Sequence, residues 1–188
     1  MHGFSARIGI LGFSAGGHVA ATVSTTTPSQ EETLIKAGDE LEQCSARPDF
    51  AWLIYPVISM AEPIAESSSK AALLLPGGGG GSPDDVASRA VAVTNQEMIH
   101  RYSAAEHVSR NTPPTFLAHA VDDHAVPIAN SREYVAALRA CDVSVELLEL
   151  PSGGHGLKPM PMDGGVAPLW QRWQTAALAW TKTQLDLA

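Results

Sequence analysis

A serine stands between two glycines in Gly12-Phe13-Ser14-Ala15-Gly16, directly after the apolar run Ile8-Gly9-Ile10-Leu11. This G-x-S-x-G pattern behind a strand-like run constrains the chain more than any other feature. It describes a sharp strand-to-helix turn that lifts one serine out of a sheet. Glycine is expected there because the turn strains the serine's backbone and crowds its neighbours. The motif comes early, at a point where a fold built around such a turn would already have completed half a domain.

Four segments read as buried parallel strands: Arg7 to Phe13, Phe50 to Val57, Thr115 to Val121 and Ser144 to Leu150. The middle two are nearly continuous apolar runs, as strands covered on both faces should be. Helical patterns fall at Gly17 to Thr25, Asn95 to Tyr102, Ile128 to Ala140 and Leu169 to Leu185. In the third, Tyr134, Val135, Leu138 and Cys141 share one face; in the last, Trp173, Ala177 and Trp180 do. Strands alternating with helices predict an α/β fold with a parallel sheet of about four strands. The stretch from Ser59 to Val93 holds Ser67-Ser68-Ser69 and the glycine run Gly77 to Gly81. It reads as a flexible excursion inside one domain spanning residues 1–188.

Composition narrows the function. With 45% apolar and 17% charged residues, the 188-residue chain is expected to be globular. A formal net charge of -8, with twelve scattered Lys and Arg, argues against nucleic acid and anionic membrane surfaces as partners. No segment approaches the ~18 apolar residues of a membrane span. The N-terminus runs straight into a strand with no room for a signal peptide, which favours a cytoplasmic setting for the chain as it stands. Cys44 and Cys141 read as two buried or partly buried thiols.

A serine hydroxyl is a poor nucleophile at neutral pH. It needs a base within hydrogen-bond reach, and the base needs an acid to fix its tautomer. α/β-Hydrolases supply these in the order Ser, Asp or Glu, His, and this chain offers that order. The acid candidates, Asp122 and Asp123, follow the third strand, at the end where parallel sheets place functional groups. Asp123 is the better choice, because an acid four residues before Pro127 fits the loop of this fold class. Asp122 is then solvated or capping. The base candidate, His155, follows the fourth strand in Pro151-Ser152-Gly153-Gly154-His155-Gly156, whose glycines let the loop carry an imidazole toward the serine. His18 lies too close to the turn to swing back as the base. His119 reads as a packed core residue and His124 as an exposed loop residue, while His2, His100 and His107 have no supporting context. No group of residues has metal-ligand spacing, and nothing calls for a metal or cofactor.

These residues give the chain a resemblance to the acetyl-xylan-esterase-like group of α/β-hydrolases, related to the dienelactone-hydrolase and prolyl-oligopeptidase superfamily. The resemblance runs through Arg7 to His18, Arg47-Pro48-Asp49-Phe50, Leu53 to Ser59, Tyr102-Ser103-Ala104, Thr112 to Leu117 leading into Asp122-Asp123, and Gly153 to Leu157. It implies Ser14 as nucleophile, Asp123 as acid, His155 as base and the Ala15 backbone N–H as one oxyanion donor at the positive end of a helix. It also implies short acyl groups, often acetyl, removed from carbohydrates or simple esters through an acyl-enzyme.

Relatives of this kind begin with four further strands, and a glycine-rich loop there supplies the second oxyanion donor. The chain therefore resembles the C-terminal half of the fold. His2-Gly3-Phe4 lies at the wrong end of the strand, and Gly77 to Gly81 follows the second strand instead of preceding the serine. The serine's strand becomes an edge, which predicts a homo-oligomer assembled through that edge. Loss of one oxyanion donor lowers rates about 10²–10³-fold, so weak activity is expected. A non-catalytic truncated module and a serine peptidase of the prolyl-oligopeptidase type are the competing readings, the latter without the propeller or cap that feeds peptides to such sites.

Overall fold

The computed structural model describes residues 7–26, 45–74, 96–157 and 169–185. Four strands, β1 (Gly9–Phe13), β2 (Phe50–Ile54), β3 (Thr115–Ala120) and β4 (Val145–Leu150), lie side by side in sequence order. All three pairings are parallel, with Gly9 opposite Phe50, Ala51 opposite Thr115, and Thr115 opposite Val145. Parallel neighbours need crossover connections. Helices α1 (Ser14–Thr25), α2 (Ser67–Leu74), α3 (Gln96–Tyr102) and α4 (Ala129–Ala140) lie in these, and α5 (Leu169–Gln184) closes the described fold. A short 3-10 turn at Ala104–His107 follows α3. This is the α/β architecture that the alternation of elements predicts.

Successive side chains of a strand point to opposite faces, and the core divides accordingly. On one face Ala51, Leu53 and Leu117 pack with Ala20 and Ala21 of α1 and with Tyr134 and Leu138 of α4. On the other, Ile54, Phe116, Ala118, Ala120 and Leu150 meet Trp173, Ala177 and Trp180 of α5. All six residues of β3 are buried, as its apolar run requires. A third cluster, Val57, Met60, Leu74, Ile99 and Val126, packs α2 and α3 beside the loop that follows β3.

Three differences from the sequence reading have physical causes. β2 ends at Ile54 instead of Val57, because Tyr55 adopts φ 41 and Pro56 follows it. A positive φ leaves the β region, and proline offers no ladder donor. α1 begins at Ser14 itself and not at Gly17. The excursion read as flexible from Ser59 contains helix α2, which starts where the Glu66 carboxylate accepts the backbone N–H groups of Ser68 and Ser69. The segment before it is tied down by buried Asn130, whose Oδ1 accepts from the N–H groups of Ile58 and Ser59 and whose Nδ2 donates to the Ile64 carbonyl. Gly77 to Val93, His2-Gly3-Phe4 and Cys44 lie outside the described residues; Cys141 is half-buried.

β1 pairs only with β2 among the described residues, the edge position expected for the serine's strand. Ile8, Leu11 and Phe13 are 67%, 47% and 41% exposed. Among the described residues, no helix is long and apolar enough to cross a membrane.

Candidate active site

The turn from β1 into α1 holds Ser14 at φ 51. A non-glycine residue in this region carries about 1–3 kcal/mol of strain, which the surroundings must offset. Part of the restraint is a hydrogen bond from the Val57 N–H to the Ser14 carbonyl, 3.1 Å. The glycines divide their work unevenly. A Cβ on Gly12 would sit 2.3 Å from the Gly16 carbonyl oxygen, and one on Gly17 would sit 2.7 Å from Pro56 Cβ. Gly16, the last residue of the five-residue pattern, has no described neighbour within 4 Å of such a Cβ. The close approach therefore falls on Gly17, one position later than the pattern suggests.

The loop after β4 bends through Gly153, Gly154 and Gly156, all at positive φ, and brings His155 back over the sheet. His155 Nδ1 lies 2.8 Å from Asp123 Oδ2, and His155 Nε2 lies 2.9 Å from Ser14 Oγ. A carboxylate only accepts, so Nδ1 carries the proton. The Nε2 lone pair is then free to receive the serine hydroxyl. The structure thus brings together the three side chains singled out in the sequence, from residues as far as 141 positions apart. Asp123 is fully buried at its side chain, whereas His155 is about one-third exposed. The other Asp123 oxygen, Oδ1, accepts the backbone N–H groups of Ala125 and Val126, each at 2.9 Å.

Ala15 is the second residue of α1, and no side chain caps the start of that helix. Its N–H belongs to the first turn, where backbone donors have no partner within the helix.

Three further residues touch the site. Asp122, read as solvated or capping, does cap backbone N–H groups, and His119, read as a packed core residue, is buried, but their contacts with the site were not read, nor was Tyr55. Asp122 accepts backbone N–H groups of the His155 loop, from Gly154 at 2.8 Å and from Gly153 at 3.2 Å. The Gly154 bond, with that of Gly153, holds its carboxyl below the ordinary range. Tyr55 packs its ring at 66° to His155 with centroids 4.9 Å apart, and also touches Phe13. Burial, with the nearby Asp123 charge, pushes the Tyr55 hydroxyl pKa up. Its signal was available: it directly follows β2, at the carboxyl edge of a parallel sheet. His119, inside β3, places Nε2 3.3 Å from Asp123 Oδ2. Burial keeps its pKa low against the pull of the Val126 carbonyl and the Asp123 carboxylate. Among the described residues, the remaining histidines stand apart from the site's hydrogen bonds: His18 is buried in α1 with its pKa lowered by burial, and His100 and His107 pack on each other at the surface.

Fold and site together define a chain of the α/β-hydrolase type. It belongs to the BD-FAE family: residues 3–138 match that family's model, a span that includes Ser14 and Asp123 and stops short of His155. An acetylxylan esterase of Xylanibacter ruminicola is 34% identical over 151 residues, which is 79% of this chain and 25% of that protein. Among solved structures, an acetyl ester-xyloside bifunctional hydrolase from Caldicellulosiruptor lactoaceticus superposes with a TM-score of 0.70 at 35% identity, over 97% of this chain and 58% of that one. The carboxylesterase Cest-2923 from Lactobacillus plantarum superposes with a TM-score of 0.64 at 26% identity, over 97% and 60%. The chain therefore spans a quarter of that curated relative's length and about three-fifths of these structures.

Proposed function

We propose that this chain is a serine carboxylic ester hydrolase that releases short acyl groups, acetyl foremost, from simple esters or acetylated carbohydrates. The observation that carries the reading is the continuous contact from Ser14 Oγ through His155 to Asp123, at 2.9 and 2.8 Å. Ser14 Oγ attacks the ester carbonyl carbon as its proton passes to His155 Nε2. His155 returns that proton to the departing alkoxide, leaving an acyl group on Ser14. Water, deprotonated by His155, then attacks the acyl carbon, and Ser14 leaves with the proton. Asp123 holds the Nδ1–H form throughout, and the Ala15 N–H faces the oxyanion. The esterase names of the relatives support the reaction class. The test is hydrolysis of a short-chain activated ester, with labelling by a serine-directed phosphonate, in the parent and in Ser14→Ala. Turnover and labelling that vanish in Ser14→Ala are expected; equal background in both proteins overturns the reading.

The edge position of β1 among the described residues supports self-association through that strand.

A further inference from the structure

Behind Asp123 lies a second serine–histidine pair that the proposed chemistry leaves unused. His119 in β3 and Ser131 in the first turn of α4 are both fully buried. His119 Nε2 lies 2.9 Å from the Val126 carbonyl oxygen, which can only accept, so this nitrogen carries the proton. In the neutral ring Nδ1 is then a lone pair, and it receives the Ser131 hydroxyl at 2.8 Å. Nε2 also stands 3.3 Å from Asp123 Oδ2, the same oxygen that accepts from His155. The Val126 N–H holds Asp123 Oδ1 while the Val126 carbonyl is held by His119. The loop that carries the acid is thus closed from within the sheet.

We propose that His119, held in its Nε2–H form by the Val126 carbonyl and braced at Nδ1 by the Ser131 hydroxyl, is a positioning residue for Asp123 that keeps Oδ2 in line with the His155 Nδ1–H. Removing the Ser131 hydroxyl leaves the buried Nδ1 lone pair without its donor and the ring free to shift, while the Val126 carbonyl still holds the proton on Nε2. His119 touches neither Ser14 nor the reacting ester, so its loss should fall on kcat and spare KM.

The kinetic part rests on the esterase reading; the tautomer and the Asp123 geometry do not. The experiment compares His119→Phe, His119→Gln and Ser131→Ala with the parent. His119→Phe should lower kcat about 100-fold, and Ser131→Ala about 10-fold, with KM nearly unchanged. His119→Gln keeps an N–H donor near the Nε2 position and should recover most of the loss. In ¹⁵N spectra of the imidazoles, His119 should be protonated at Nε2 in the parent, and in Ser131→Ala the Nε2–H should persist while the Nδ1 signal moves to that of a lone pair without a hydrogen-bond donor. The low-field proton of the His155 Nδ1–H should be sharp in the parent and broadened in His119→Phe. The proposal is overturned by a folded His119→Phe with parental kcat, by a loss in KM alone, by Gln no better than Phe, or by an Nδ1–H ring in the parent. If the parent hydrolyses no ester and resists phosphonate labelling, the esterase reading fails, and the two spectra still decide the positioning role. If His119→Phe does not fold, Ser131→Ala and His119→Gln decide it.

Discussion

Asp122 Oδ1 accepts the backbone N–H of Gly154 at 2.8 Å, one residue before the proposed base. Adjacent carboxylates therefore divide the labour: Asp123 touches the imidazole of His155, and Asp122 holds the loop that carries it. Asp122→Ala should loosen the loop before His155, lowering kcat about tenfold at unchanged KM. Asp122→Asn keeps one accepting oxygen and should lie between the two. Asp123→Asn, which turns the imidazole to the wrong tautomer, should cost about 10⁴ in kcat. Steady-state kinetics of the three variants checks the order; Asp122→Ala as damaging as Asp123→Asn would refute the division.

The turn at Ser14 makes a second prediction, about stability. Gly17→Ala puts a methyl 2.7 Å from Pro56 Cβ and 2.8 Å from Pro56 Cα, where backbone must move. Overpacking of this kind destabilises by about 1–3 kcal/mol. Gly16→Ala meets no described neighbour and replaces a glycine in α1, so it should stabilise by about 0.5–1 kcal/mol. Urea unfolding midpoints measure both, and a Gly17→Ala protein as stable as Gly16→Ala would contradict the packing argument.

Stability should fall with acid in two stages. Burial holds His18 and His119 below the ordinary 6.5. Above pH 6.5 each ring is neutral folded and unfolded. As pH drops below 6.5 the unfolded chain takes up protons that the folded chain refuses, and stability declines. The lower stage belongs to carboxylates. Burial disfavours the Glu66 charge, but hydrogen bonds from Ser68 and Ser69 outweigh it and bring its pKa from 4.5 to about 2. Hydrogen bonding from Arg132 likewise lowers Glu149. Their stabilisation is present above pH 4.5 and is lost as pH falls toward 2. Denaturant midpoints from pH 8 to 3 should show both declines, and His119→Gln should flatten the upper one. A midpoint constant from pH 8 to 5 would sink the histidine part.

What was legible in the sequence follows from how local each signal is. β3 announces itself because burial on both faces demands an unbroken apolar run, and all six of its residues are buried. Asp123 is legible through its spacing to Pro127; the structure adds the reason, since its Oδ1 caps Ala125 and Val126 and so turns the side chain inward. His119 is not legible. Its contact with Asp123 exists only because the chain doubles back after β3, so that an in-strand residue meets the carboxylate four positions on. The Asp122 bonds to Gly153 and Gly154 join β3 to β4 across 31 and 32 residues, and no local pattern encodes that pairing. The true end of β2 is hidden for a similar reason, because the positive φ of Tyr55 is not a property of its residue type.

The β1 edge carries the last prediction. Leu11 and Phe13 in β1 and Ile8 just before it are exposed apolar side chains, and Val19 of α1 is 59% exposed. An edge strand presents unpaired backbone groups as a template for another strand. The proposed occupant is a second copy of this chain. Closed pairs of identical chains are commonly two-fold symmetric, and a two-fold axis normal to the sheet sets the two β1 strands antiparallel, joining four strands to four. Sedimentation at micromolar concentration should therefore show a dimer for the parent. Leu11→Lys and Ile8→Lys place charges on the contact and should shift the population to monomer while leaving the far-ultraviolet spectrum unchanged. A parent that sediments as a monomer throughout that range, or lysine variants that remain dimeric, would rule out assembly through β1.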